Sequence, residues 1–242
     1  GDGDALFLTV GRFFAHDLAR NWIVSADHVD LVVTEIADTV QPLVAFVEVH
    51  CHNGTVHIWM DETVRLVPNT LLNRSKIRFS NIGETALMNN RTKVSLQDAT
   101  LDYTDRNDRD LVLTMPEDQR AKYIAQSGTS GGDGGSMFLE MLPGAVQDMA
   151  FNINPMQIIS QVTEYPDEVR PEIVSAIIHL SNGTLVLQGS ETIDVTPQNV
   201  KVNATMIFLH DQRLFWNGFT AGGAVDYPLS MYQDQNLHHF TL

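Results

Sequence analysis

The chain has 242 residues, 43% of them hydrophobic, enough to bury one large core or two smaller ones. Its formal net charge of −15 at pH 7, from 15 Lys and Arg against 30 Asp and Glu, excludes a basic patch that holds nucleic-acid phosphates or an anionic membrane. No apolar run reaches membrane-spanning length, no targeting signal is visible, and Cys51, the single cysteine, excludes an intrachain disulfide.

The chain opens on Gly1 rather than Met, as a processed or excised piece does. Phe13 to Trp22 predicts a short amphipathic helical segment, with Phe14, Leu18 and Trp22 on one side. From Val33 onward the sequence is written twice. VTEIADTVQP (Val33 to Pro42) returns as VTEYPDEVRP (Val162 to Pro171), HCHNGT (His50 to Thr55) as HLSNGT (His179 to Thr184), and DETVRLVPN (Asp61 to Asn69) as SETIDVTPQ (Ser190 to Gln198). Every pair keeps the separation of Val33 from Val162 without a gap, the mark of an internal duplication. Weaker matches extend it: ALFL (Ala5 to Leu8) with SMFL (Ser136 to Leu139), and DLVLTM (Asp110 to Met115) with LHHFTL (Leu237 to Leu242).

Within each repeat the apolar period is mostly two, and strands are expected at short spacing. Leu43 to His52 and Thr55 to Met60 flank Asn53-Gly54, a hairpin signal; Ile173 to Ser181 and Thr184 to Gln188 flank Asn182-Gly183 in the same way. Val47, Val49, Cys51, Val56, Ile58 and Met60 are expected to share a buried face, with Glu48, His50, His52 and His57 on the other. Further strands are expected over Thr63 to Val67, Lys76 to Phe79, Lys93 to Leu101 and Asp110 to Met115, with Thr192 to Val195, Val200 to Phe208 and Leu214 to Phe219 in the second copy. Pro116, Glu117 and Asp118 begin a short helix ending near Gln126, and the Gly/Ser-rich Ser127 to Ser136 reads as a flexible linker. The expected fold is all-β: two tandem, duplicated antiparallel β-sandwich or jelly-roll-like domains, residues 1–115 and 136–242, joined through 116–135.

Several groups of residues bear on chemistry. Gly128-Thr129-Ser130-Gly131-Gly132 fits G-x-S-x-G, but the glycine run after it would not start the helix that a nucleophile elbow needs. His50, His52 and His57 are the metal candidates, with Glu48 as a fourth ligand; the second copy keeps only His179 of the three. Asp102, Asp105, Asn107, Asp108 and Asp110 crowd one loop without the order of a calcium-binding loop. The polar residues kept in both copies, among them Glu35 and Glu164, Asp38 and Asp167, and Glu62 and Glu191, read as loop and turn supports rather than acid–base catalysts. Asn53, Asn73, Asn90, Asn182 and Asn203 match the N-glycosylation acceptor pattern, and Asn53 and Asn182 also have the turn as their explanation.

No catalytic constellation, cofactor motif or complete metal-ligand set emerges. The second hairpin is apolar where the first is polar, Ile177 standing for Glu48 and Val186 for His57, as a strand covered by a neighbour requires. Phe215, Trp216 and Phe219 form an aromatic cluster suited to a subunit contact or to a sugar. The expectation is a non-enzymatic, self-assembling structural protein, a coat, decoration or tail component of a viral or phage particle. Its partners are then copies of itself or other particle subunits, and its location is the virion or the extracellular space. The alternatives are a tandem carbohydrate- or receptor-binding module and, behind that, a duplicated β-rich enzyme.

Overall fold

The computed structural model describes residues 4–9, 13–22, 31–81, 93–103, 105–195, 202–203, 206–207 and 239–241. In chain order the elements are β1 (Phe7–Leu8), β2 (Leu31–Val32), β3 (Val44–His50), β4 (Thr55–Val64), β5 (Ile77–Ser80), β6 (Val94–Ser95) and β7 (Thr100–Leu101). They continue with β8 (Asp108–Thr114), α1 (Glu117–Ile124), β9 (Phe138–Met141), β10 (Gln157–Ile159), β11 (Val162–Tyr165), β12 (Ile173–His179), β13 (Thr184–Gly189) and β14 (His239–Thr241). The chain is mostly β, in several sheets with little helix. The five-stranded sheet runs β11-β3-β4-β8-β7, the four-stranded sheet β10-β9-β5-β6, and a three-stranded sheet β12-β13-β14.

Alternation decides which face each strand buries. Val47, Val49, Cys51, Val56, Ile58 and Met60 are all fully buried, as their period of two predicts. They share one core with Leu111 and Leu113 of β8 and with Ile77, Phe79, Leu139 and Met141 of the four-stranded sheet. Tyr123 of α1 closes the core from the side, its ring edge-on to Phe79 with centroids 5.0 Å apart.

The two hairpins have the same construction. In β3–β4, Val49 faces Val56 and the register shifts between Val44 and Phe46; in β12–β13, Ile178 faces Leu185 and the shift falls between Ile173 and Ser175. Neither turn is the two-residue Asn-Gly type expected. Each loop has four residues and closes on a backbone bond, Gly54 N to His50 O and Gly183 N to His179 O, both 2.9 Å. Only the glycines take positive φ, +74° and +70°. The asparagines instead accept from the backbone two residues on, Thr55 N to Asn53 Oδ1 and Thr184 N to Asn182 Oδ1. The third strands also correspond: Val112 sits beside His57, and Thr241 beside Val186, again at the Val33-to-Val162 separation. Matching DLVLTM to LHHFTL by sequence alone sets these strands out of that register.

Other expectations are corrected. Phe13 to Trp22 holds no helix: Phe13 and Arg20 both have φ of 65°, which breaks a right-handed turn, and the segment folds back so that His16 bridges Trp22. Neither Thr63 to Val67 nor Thr192 to Val195 is a separate strand, since β4 runs through to Val64 and residues 192–195 are coil, and Lys93 to Leu101 is broken into β6 and β7. Among the described residues one pairing is parallel rather than antiparallel, β11 on β3. Strands from either side of residues 116–135 share both large sheets, because β9 pairs with β5 and β11 with β3. The Gly/Ser stretch is folded in rather than free: Ser127 is fully buried, its hydroxyl donates to Ile124 O, and Gly134 N donates to Ser127 O. A Cβ on Gly132 would clash with Ser127 O, so the close approach itself requires glycine. The expected strand over Leu214 to Phe219, and Phe215, Trp216 and Phe219 with it, lies outside the described residues.

Candidate functional site

The densest polar constellation is built around Arg120 on α1. Pro116 sets the helix entry, and Glu117 and Asp118 occupy the first turn, where acidic side chains suit the helix dipole. One turn on, Arg120 points inward and is 5% exposed. Its Nη1 donates to Cys51 O at 2.8 Å and to Asp167 Oδ2 at 2.7 Å. Its Nη2 donates to Glu117 Oε1 and to Glu191 Oε2, both at 2.9 Å, and its Nε to Glu117 Oε2. Every guanidinium N–H is thereby used. Thr192 N donates to Glu117 Oε1 at 2.7 Å, which ties the same carboxylate to the chain after β13.

The arginine thus joins the tip of the first hairpin to the base of the second. Burial works against its charge, but the bonds to Glu117, Glu191 and Asp167 outweigh burial and raise its pKa further. Burial would raise the Glu117 carboxyl; the bonds from Arg120 and Thr192 win, and its pKa falls below the usual value. Beside it, burial pushes the Cys51 thiol up to about 11. Tyr123 donates to Glu164 at 2.9 Å, and burial, with the adjacent Glu164, raises its pKa. A cleft of about 210 Å³ opens here, lined by His52, Asn53 and Met115 on one side and Val169, Ser190 and Glu191 on the other. With every guanidinium N–H of Arg120 engaged and the thiol of Cys51 buried, the junction holds the two hairpins together.

The two Asp…Glu pairs that stand at matching places in the sequence find different third partners. Asp167 and Glu191 meet Arg120, whereas Asp38 and Glu62 meet Asp148, with carboxylate oxygens within 4.8 Å of one another. This is the hard-oxygen set that divalent cations take. Asp148 is already engaged, since Asn152 donates to both its oxygens at 2.8 Å. Glu62 Oε1 is buried without a hydrogen-bond partner, and burial first, then Asp148, Asp38 and Asp61, raises the Glu62 pKa. Asp38 and Asp167 also each accept from the backbone two residues on, Val40 N and Val169 N, both at 2.9 Å. That turn is the physical role of the repeated aspartate.

The histidine trio lies on the outer face of the first hairpin. Register places Glu48, not His50, opposite His57, because the loop is four residues long. The His50 ring centroid is 5.9 Å from that of His52 and 5.8 Å from that of His57. Two of these rings, both half-buried, have other neighbours: His50 stacks on Tyr165 at 4.5 Å, and His57 stacks on Trp59 at 5.0 Å and contacts Asp110 at 3.2 Å. Phe46 extends the row beyond Trp59. The acidic loop residues are spread over separate contacts: Asn107 accepts from Leu66 N and Val67 N, Asp108 pairs with Arg106, and Asp102 accepts from Thr114. Ser130 is exposed and follows a helix rather than a strand, so the nucleophile-elbow geometry is missing. Ile177 faces Val186 directly across β12–β13, and Ile177 is 56% exposed.

Sequence reading missed Arg120, Tyr123 and Tyr165. Only the Glu117–Arg120 spacing of three signals a pair, and nothing local says that Arg120 turns inward. Comparison with protein-family models, with curated proteins and with solved structures finds no match to this chain.

Proposed function

We propose that this chain is a non-enzymatic, self-assembling structural protein. The observation that carries the reading is the apolar pair Ile177 and Val186 on an edge hairpin, with Ile177 exposed, where the sister hairpin has Glu48 and His57. Among the described residues no strand pairs with the outer edge of β12, and an apolar outer face beside such an edge is stabilised by a neighbour and is otherwise an aggregation site. The Arg120 junction supports the same reading, since its charges fix one hairpin on another.

On this reading the chain is an internally duplicated pseudo-dimer whose sandwich- or jelly-roll-like units, one in 1–115 and one in 136–242, exchange strands across the connecting segment. Its partners are copies of itself or other subunits of an assembly. The setting, a viral or phage particle, rests on analogy of fold class. Sedimentation of the purified chain over a hundredfold concentration range tests the assembly: mass that rises with concentration supports it, and a strict monomer ends it.

A second reading is a carbohydrate- or receptor-binding module. The observation in its favour is the row of rings Phe46, Trp59, His57, His50 and Tyr165 across one sheet face, a surface on which a sugar ring can stack. Binding on a glycan array, lost in Trp59→Ala, supports this reading; an array without hits removes it.

A further inference from the structure

The chain treats two equivalent strand edges differently. β3 carries β11 on its outer edge in parallel register, from Val162 beside Val47 to Tyr165 beside His50, and Cys51 N donates to Tyr165 O at 2.9 Å. β12 is the repeat of β3 and shares its hairpin register, irregularity included, yet among the described residues no strand lies beyond it. The strand that covers β3 reads V-T-E-Y. One repeat earlier in the chain stands Val33-Thr34-Glu35-Ile36, V-T-E-I. That segment is exposed and joins no sheet, and among the described residues its only backbone hydrogen bond is Val33 N to Leu6 O.

From this we infer that the outer edge of β12 accepts Val33–Ile36 of a second copy of the chain as a parallel strand, Val33 beside Ala176 and Ile36 beside His179. The side chains have changed in step on both sides of the contact. In the filled edge Tyr165 stacks on His50 and donates to Glu48 at 3.2 Å. At the matching places stand Ile36, His179 and Ile177, so a polar contact becomes an apolar one on strand and acceptor together. Ile36 is 94% exposed and Ile177 56%, and pairing would cover both.

The donor belongs to another copy because of where the ends lie. Arg120 fixes the base of the second hairpin, through Asp167 and Glu191, to the tip of the first at Cys51 O. Val33–Ile36 leads instead into the base of the first hairpin, where Asn152 donates to Asp38 O and Asp61 N to Leu43 O. The two hairpins follow in series and do not pair side by side. A first base therefore meets a second tip only in a neighbouring molecule. The contact is heterologous and head to tail, and it propagates into a ring or a filament.

This inference rests on the self-assembly reading, and the experiment separates the two. The full chain carrying Ile36→Cys and His179→Cys is oxidised gently and run on a non-reducing gel beside an off-register control, Ile36→Cys with Ser175→Cys. Thr34→Pro with Glu35→Pro is sedimented beside the unmodified protein; these positions are exposed coil, and circular dichroism checks that the fold is kept. The expected result is a disulfide-linked ladder for the in-register pair only, and association weakened at least tenfold by the prolines, which remove strand donors. Oligomers that ignore the prolines and form no ladder overturn strand addition and leave self-assembly standing. A strict monomer overturns both. A disulfide confined within one chain overturns the role of a second copy.

Discussion

Arg120 Nη1 donates to Asp167 Oδ2 across 2.7 Å while the same nitrogen donates to Cys51 O, so one atom ties β11's exit to the tip of the first hairpin. A charge held this deeply stabilises only while its partners remain, and removing one side leaves the others buried and uncompensated. Arg120→Ala would leave Glu117, Asp167 and Glu191 facing one another. The expected loss is about 3–5 kcal/mol in denaturant unfolding. Arg120→Lys, a single point charge in place of a fork, should lose less but still more than about 1 kcal/mol.

Two carboxylates give opposite pH signatures. Glu117 has a folded pKa below its unfolded one, so its contribution is complete above the unfolded value and is lost as pH falls through the folded value. Glu62 has a raised folded pKa: its contribution is present at acid pH and lost as pH rises through the folded value, leaving strain at neutrality. Glu62→Gln should therefore raise the melting temperature at pH 7, by about 2–5 °C, and do little at pH 4. A melting temperature that falls at pH 7 would count against the strained trio.

Cys51 provides a clock for opening of the junction. With burial holding its thiol near 11, the thiolate is scarce at pH 8, and the side chain has no exposed surface. A disulfide-exchange reagent should react with the native protein at least a hundredfold more slowly than with the denatured chain. Arg120→Ala should raise the native rate, because the arginine holds the carbonyl of the same residue.

The glycine run after α1 is predicted to be structural. Gly132→Ala places a methyl group against Ser127 O and should cost about 1–3 kcal/mol by overpacking. Gly134→Ala meets nothing within 4 Å but sits at φ +86°, so a smaller backbone cost of about 1 kcal/mol is expected. Equal tolerance of both substitutions in thermal melts would return this stretch to the status of a plain linker.

Much of the local fold is legible without coordinates. The period of two in Val47, Val49, Val56 and Ile58 names the buried face, and Pro116 with Glu117 and Asp118 places α1. Local signals fail where a bond spans the chain. Tyr165 reaches Glu48 from 117 positions away, and Arg120 is held by residues 47 and 71 positions away.

The sequence by itself determined the repetition at one fixed spacing, the strand periodicity, both hairpins and the acidic, single-cysteine character of the chain, because these depend on neighbours along the backbone. Tertiary structure decided that the second V-T-E segment covers the edge of β3, which carboxylates meet Arg120 and which gather around Asp148. Those outcomes depend on where distant strands end, and alternation of side chains carries no information about that. The same V-T-E sequence is a paired strand beside β3 and exposed coil before Asp38.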